Sequence, residues 1–110
     1  MNRQKVTLRL IPGSLFREIL SSPFSIGQHS LYKNLDLFEC YSFVLKSRAS
    51  GDAEDIAEEL FDLMNNPART QERNSYVGRN TRSLSIGDVV EIGGVFLVCD
   101  IFGWQHLEVS

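Results

Sequence analysis

Arg82-Ser83-Leu84-Ser85-Ile86-Gly87-Asp88-Val89-Val90-Glu91-Ile92-Gly93-Gly94-Val95-Phe96-Leu97-Val98-Cys99-Asp100-Ile101-Phe102-Gly103-Trp104 decides the fold class. Val89, Val90 and Ile92 are β-branched in a short run, and Gly93-Gly94 supplies two residues that tolerate positive φ, as a primed hairpin turn requires. Val95 to Cys99 returns as a second strand, apolar on both faces. Gly103 lets the chain bend, and Trp104 to Val109 adds a final strand. The stretch specifies β structure and carries no catalytic motif. Ser83 and Ser85 lack a Gly-x-Ser-x-Gly elbow, and Ser85-Ile86-Gly87-Asp88 leads into a strand where a phosphate loop would lead into a helix.

Upstream lies the strongest helical signal. Ala53, Ile56, Ala57, Leu60, Phe61 and Met64 recur at one-face helical spacing, which predicts an amphipathic helix over about 52–65. Asp52 is its N-cap, Glu54 and Asp55 complement the dipole, and Asn65-Asn66-Pro67 ends it. Lys5 to Ile11 alternates polar and apolar residues and predicts a strand closed by Pro12-Gly13. Ser14 to Leu20 reads as a short helix capped by Ser14, and residues 24–36 as a packed connector. Asp36 to Lys46 is a strand apolar on both faces, the pattern of an interior position, with Tyr41, Phe43 and Leu45 on one side. The expectation is one α+β domain over 1–110: a mainly antiparallel sheet of four or five strands with the 52–65 helix on one face.

Charge is distributed in blocks. The total is −3, yet residues 1–50 carry net +4, 51–66 hold six acids and no base, 67–83 carry net +3, and 84–110 carry net −4. Such blocks imply faces of opposite sign. Glu54, Asp55, Glu58, Glu59 and Asp62 form a carboxylate surface suited to a basic partner, against the plainer reading of a solvated helix face. Trp104 at its glycine corner is the first residue to test for an interface. Reversing Glu54, Glu58 and Glu59 to Lys is the matching charge test.

Residues 67–83 read as a mobile arginine-rich loop. Arg69, Arg73, Arg79 and Arg82 are candidates for gripping phosphates, with Tyr76 available to stack a base. The competing reading pairs these arginines with the acidic helix. Cys40 and Cys99 sit in apolar runs and are expected to be buried free thiols of a reducing cytosol. With His29 and His106 far apart, no zinc spacing exists, and neither metal nor cofactor is expected. Cys99 beside His106 is the one conceivable nucleophilic pair, but an apolar strand raises a thiol's pKa. No run is long enough to span a bilayer and no signal-peptide core is present, so a cytoplasmic protein is expected.

The Arg82–Ile92 run and Phe102-Gly103-Trp104 resemble the YodL-like domain of phage and plasmid polyvalent proteins, whose pattern is Ser-Leu-Ser-Val-x-Asp-Val-Val, a glycine turn, an apolar strand and a Phe-Gly-Phe-like close. Asp36-Leu37-Phe38-Glu39 and Ala57-Glu58-Glu59-Leu60-Phe61 are similar to related small proteins of mobile elements and bacteria. The likeness covers about residues 36–107. Trp104 stands where Phe is usual, and the N-terminal strand has no counterpart. What the resemblance implies is a non-enzymatic accessory role in mobile-element biology, such as counter-defence, with no catalytic residues. Ser83, Ser85 and Asp88 are expected to bond the turn backbone.

The functional expectation is therefore a small non-catalytic module that docks a protein partner, a second copy of the chain being an allowed one. The alternative is a nucleic-acid-binding module using the basic segments 1–50 and 67–83.

Overall fold

A computed structural model of the chain describes residues 2–21, 30–47 and 51–107. Its centre is a five-stranded antiparallel sheet in the order β2-β1-β3-β4-β5: β1 Asn2–Leu10, β2 Glu39–Ser47, β3 Val89–Ile92, β4 Val95–Asp100 and β5 Gly103–Leu107. Among the described residues three helices accompany it, α1 Gly13–Leu20, α2 Ala53–Asn65 and α3 Thr70–Val77, with 3-10 turns at Ser30–Lys33, Leu35–Leu37 and Pro67–Arg69. The fold is α+β, as the patterning implied. The Gly93-Gly94 turn has φ of +56° and +82°, so both central residues adopt the conformation that a two-residue hairpin demands.

Period-two alternation in β1 divides the core. Val6, Leu8 and Leu10 face one layer, joined by Leu45, Val90, Ile92 and Leu97, and α2 seals them with Ile56, Ala57, Leu60, Leu63 and Met64. On the opposite face Val89, Val98 and Leu107 pack with Ile11, Ile19 from α1, Tyr32 and Phe38. Covering of both faces explains why β3 and β4 are apolar apart from Glu91 and the terminal Asp100. An isolated 13-residue helix is marginal in water. Burial of its large side chains, at about 1.5–3 kcal/mol each, is what holds α2. Asp52 caps it by accepting the Asp55 amide. Leu63 is fully buried while Phe61 is 36% exposed. The buried stripe is thus rotated slightly from the one the spacing predicts.

Several expectations change. The 36–46 segment is not an interior strand: Leu35–Leu37 is a 3-10 turn, and β2 lies at the sheet edge with β1 inside. Its second apolar face is solvent-facing, with Val44 52% exposed and Cys40 exposed. The Lys46 amide on that edge donates to the Tyr76 hydroxyl. Cys40 is therefore not a buried thiol; Cys99 is, and two intervening strands separate them. Ser14 is not the cap of α1, which starts after Pro12 without a side-chain cap.

The 67–83 segment is not simply a loop. Asn66 accepts the Ala68 amide and Pro67 opens a 3-10 turn that runs into α3. Asn-Pro ends one helix and also starts the next, because proline's missing N–H is harmless in a first turn. Tyr76 and Val77 pin α3 to the main core, Tyr76 packing 5.0 Å from the Phe43 ring. His29 and residues 108–110 lie outside the described residues.

Candidate interaction cleft

The residues before β3 form a hydrogen-bonded knot that walls one side of a cleft. The Asp88 side chain is completely buried. Its carboxylate accepts the Ile11 and Ser85 amides, each at 2.8 Å, and both terminal nitrogens of Arg82 at 2.6 and 2.7 Å. Arg82 also donates to the Ser83 and Ile11 carbonyls. Tyr32 closes the knot by donating to the Gly87 carbonyl at 2.8 Å. Burial raises the Tyr32 pKa, and the neighbouring Asp88 and Asp100 carboxylates add to it. Asp88 thus bonds turn backbone as expected, whereas Ser85 contributes its amide.

Beside the knot opens a cleft of about 470 Å³ between α1, α2 and the β4–β5 turn. Phe16, Phe61, Ile86, Ile101 and Trp104 supply its apolar walls, and Glu58 and Asp100 its carboxylates. Phe61 and Trp104 meet edge to face, centroids 6.5 Å apart at 84°. This geometry suits the ring quadrupoles and leaves ring surface open to the cleft. Asp100 is fixed at the turn, accepting the Ile101 amide at 2.7 Å and the Gln105 side-chain amide. Cys99 lies in the lining, its thiol pushed up to about 11 by burial and then by Asp88, Asp100 and Glu58. In the β4–β5 turn the lining residue Ile101 is 64% exposed and the adjoining Phe102 98% exposed.

No family model, curated protein or solved structure matches this chain.

The sequence-predicted residues divide between two environments. Glu58 and Trp104 line the cleft, and Glu54, one helical turn before Glu58, lies 3.4 Å from His106. Asp55 donates its backbone amide to the Asp52 cap of α2, and Glu59 accepts the hydroxyl of the buried Ser47. Asp62 binds Arg69, which also forks onto Glu72. Arg69 lowers the Asp62 pKa, and Asn66 lowers it further.

The arginine set is likewise partitioned. Arg82 is committed to Asp88, Arg69 to Asp62 and Glu72, and Tyr76 to Phe43. Arg73 is half-buried and Arg79 exposed. The expected pairing of arginines with the acidic helix thus holds for Arg69. Cys99 and His106 are two register positions apart on β4 and β5, since Cys99 pairs with Trp104 and His106 with Leu97.

Spacing alone missed Phe16, Ile86, Asp100 and Ile101. The available signal was Ile101-Phe102, two large apolar residues inside a turn, where solvated types are usual. Among the described residues no three His, Cys, Asp or Glu side chains gather in a metal-holding group, and no helix is long and apolar enough to cross a membrane.

Proposed function

We propose that this protein is a small non-catalytic interaction module that docks a protein partner through the Trp104 cleft and the adjoining end of α2. The observation that carries this reading is the Phe61–Trp104 pair at an apolar cleft, with the 98% exposed Phe102 in the turn that supplies the lining residue Ile101. A large exposed aromatic beside a concave apolar surface costs solubility, and such patches belong to interfaces far more than to inert surface. Trp at a half-buried position is also the residue type most often dominant in binding energy. Engagement of Arg69, Arg82 and Tyr76 inside the fold weighs against the nucleic-acid alternative. The mobile-element setting is supported by the likeness of Arg82–Ile92 and Phe102–Trp104 to the YodL-like pattern. A reducing compartment suits an exposed free thiol at Cys40.

Affinity capture from cells that express the chain tests the reading. Proteins retained by the wild type should be lost from Trp104→Ala and from the Glu54→Lys/Glu58→Lys variant, with thermal unfolding still cooperative. Glu59 is left out of the reversal because it holds Ser47. Identical capture profiles for wild type and both variants would reject the cleft as the docking surface.

A further inference from the structure

The interaction reading leaves the partner's chemistry open, and the cleft restricts it. Among the described lining residues the carboxylates Glu58 and Asp100 are accompanied by no Lys or Arg. Asp100 is pre-oriented by the Ile101 amide and by Gln105, so little ordering entropy remains to be lost when a cation arrives. Trp104 and Phe61 present ring surface to the same space, which attracts a cation as well as an alkyl stem. The Cys99 thiol pKa is raised first by burial and only then by the neighbouring Asp88, Asp100 and Glu58 carboxylates.

Resting on the interaction reading, we infer that the occupant is a basic, apolar polypeptide segment of another protein. An Arg or Lys head faces Glu58 and Asp100, its stem lies on Trp104, and a neighbouring aliphatic or aromatic side chain covers Ile101 and Phe102.

Two competing occupants fit less well. A free organic cation would satisfy the carboxylates but leave Phe102 in water, because that side chain stands outside the lining. A second copy could insert Phe102 into its twin's cleft, but symmetry would bring Glu58 and Asp100 of each copy to the same contact. Like charges so placed oppose association. Only a foreign segment with a base and an apolar neighbour satisfies cleft and rim together.

A displayed random heptapeptide library selected on the full chain tests this. Enriched sequences should place Arg or Lys within two positions of Leu, Ile, Phe or Tyr, and selection on Glu58→Lys should lose them. The best such peptide, titrated against the single tryptophan, Trp104, should weaken about tenfold when its Arg is replaced by citrulline. Phe102→Ser should weaken the peptide severalfold yet leave butylguanidinium binding unchanged. The inference is overturned by enrichment without a basic residue, by no enrichment, by equal binding of the citrulline peptide, or by concentration-dependent dimerisation that Phe102→Ser abolishes. Should captured cellular partners persist while these peptide results fail, the chemistry assigned to the occupant falls and the docking surface stands.

Discussion

The Asp88 carboxylate, with no solvent exposure, takes both terminal nitrogens of Arg82, whose own side chain remains 41% exposed. A buried charge is stable only when paired and hydrogen-bonded, and Asp88 has four donors. The pair joins the end of β1, the 81–88 turn and the start of β3, so it fixes the floor on which Ser85 and Ile86 stand.

The two halves of this pair should fail in different ways. Arg82→Met strands a buried carboxylate and is expected to cost about 3–5 kcal/mol. Asp88→Ala leaves the Ile11 and Ser85 amides without an acceptor, at about 1–3 kcal/mol each, while Arg82 can turn to water. Urea denaturation of both variants and the double variant should show marked non-additivity. Additive losses would mean the two side chains act independently.

Gly87 should tolerate no side chain. Its φ is +95°, and an added Cβ would lie 3.3 Å from the Tyr32 hydroxyl and 3.6 Å from Ile11. The conformational term alone is about 1–2 kcal/mol, and displacement of Tyr32 from the Gly87 carbonyl adds to it. Gly87→Ala should lower the unfolding midpoint and perturb the Tyr32 ring signals by NMR. Unchanged stability would show that the turn relaxes freely.

The sheet and α2 were legible because their periodicities are strong and local: Val6-Leu8-Leu10 at period two, Ile56-Leu60-Met64 along one helical face, Gly93-Gly94 at the hairpin. Three features were not. β2 carries enough apolar residues for an interior strand, yet Tyr41, Phe43 and Leu45 suffice for its one covered face, and which strand takes the edge depends on pairings distant in sequence. α3 has almost no amphipathic signature, and its evidence was the double meaning of Asn66-Pro67 plus one aromatic anchor, Tyr76. Arg82 was grouped with solvent-facing arginines because nothing local reveals that Asp88, six residues on, would be buried. Of the cleft, Trp104 and Glu58 were visible as residue types, whereas Phe16 and Asp100 join them only through tertiary packing.

The two thiols should differ sharply in reactivity. Cys40 is exposed on edge strand β2, whereas Cys99 is buried and its pKa is pushed up to about 11. Near pH 8 that shift alone leaves about a hundredfold fewer Cys99 thiolates than an ordinary thiol would carry. A pKa raised on folding contributes stability that is complete below the unfolded value and fades as pH rises through the folded one. Iodoacetamide mapping should modify Cys40 first, and Cys99 only at strongly alkaline pH or after unfolding. Equal rates at pH 8 would contradict the buried placement.

Asp62 and Arg69 tie the end of α2 to the start of α3 at 2.9 Å, with Asn66 also donating to the Asp62 carboxylate. These donors favour the ionised carboxylate, so the folded pKa lies below the ordinary Asp value, led by the Arg69 hydrogen bond. For a depressed carboxylate the stabilisation is present above the unfolded pKa and disappears as pH falls through the folded one. Carboxyl-carbon NMR titration should therefore give an Asp62 midpoint below the usual range, and Arg69→Gln should move it upward. Added salt should shift the wild-type midpoint in the same direction but less far, because the pair is solvent-facing and screened. A midpoint indifferent to Arg69→Gln would mean that packing of Tyr76 and Val77, rather than this ion pair, sets the α2–α3 corner.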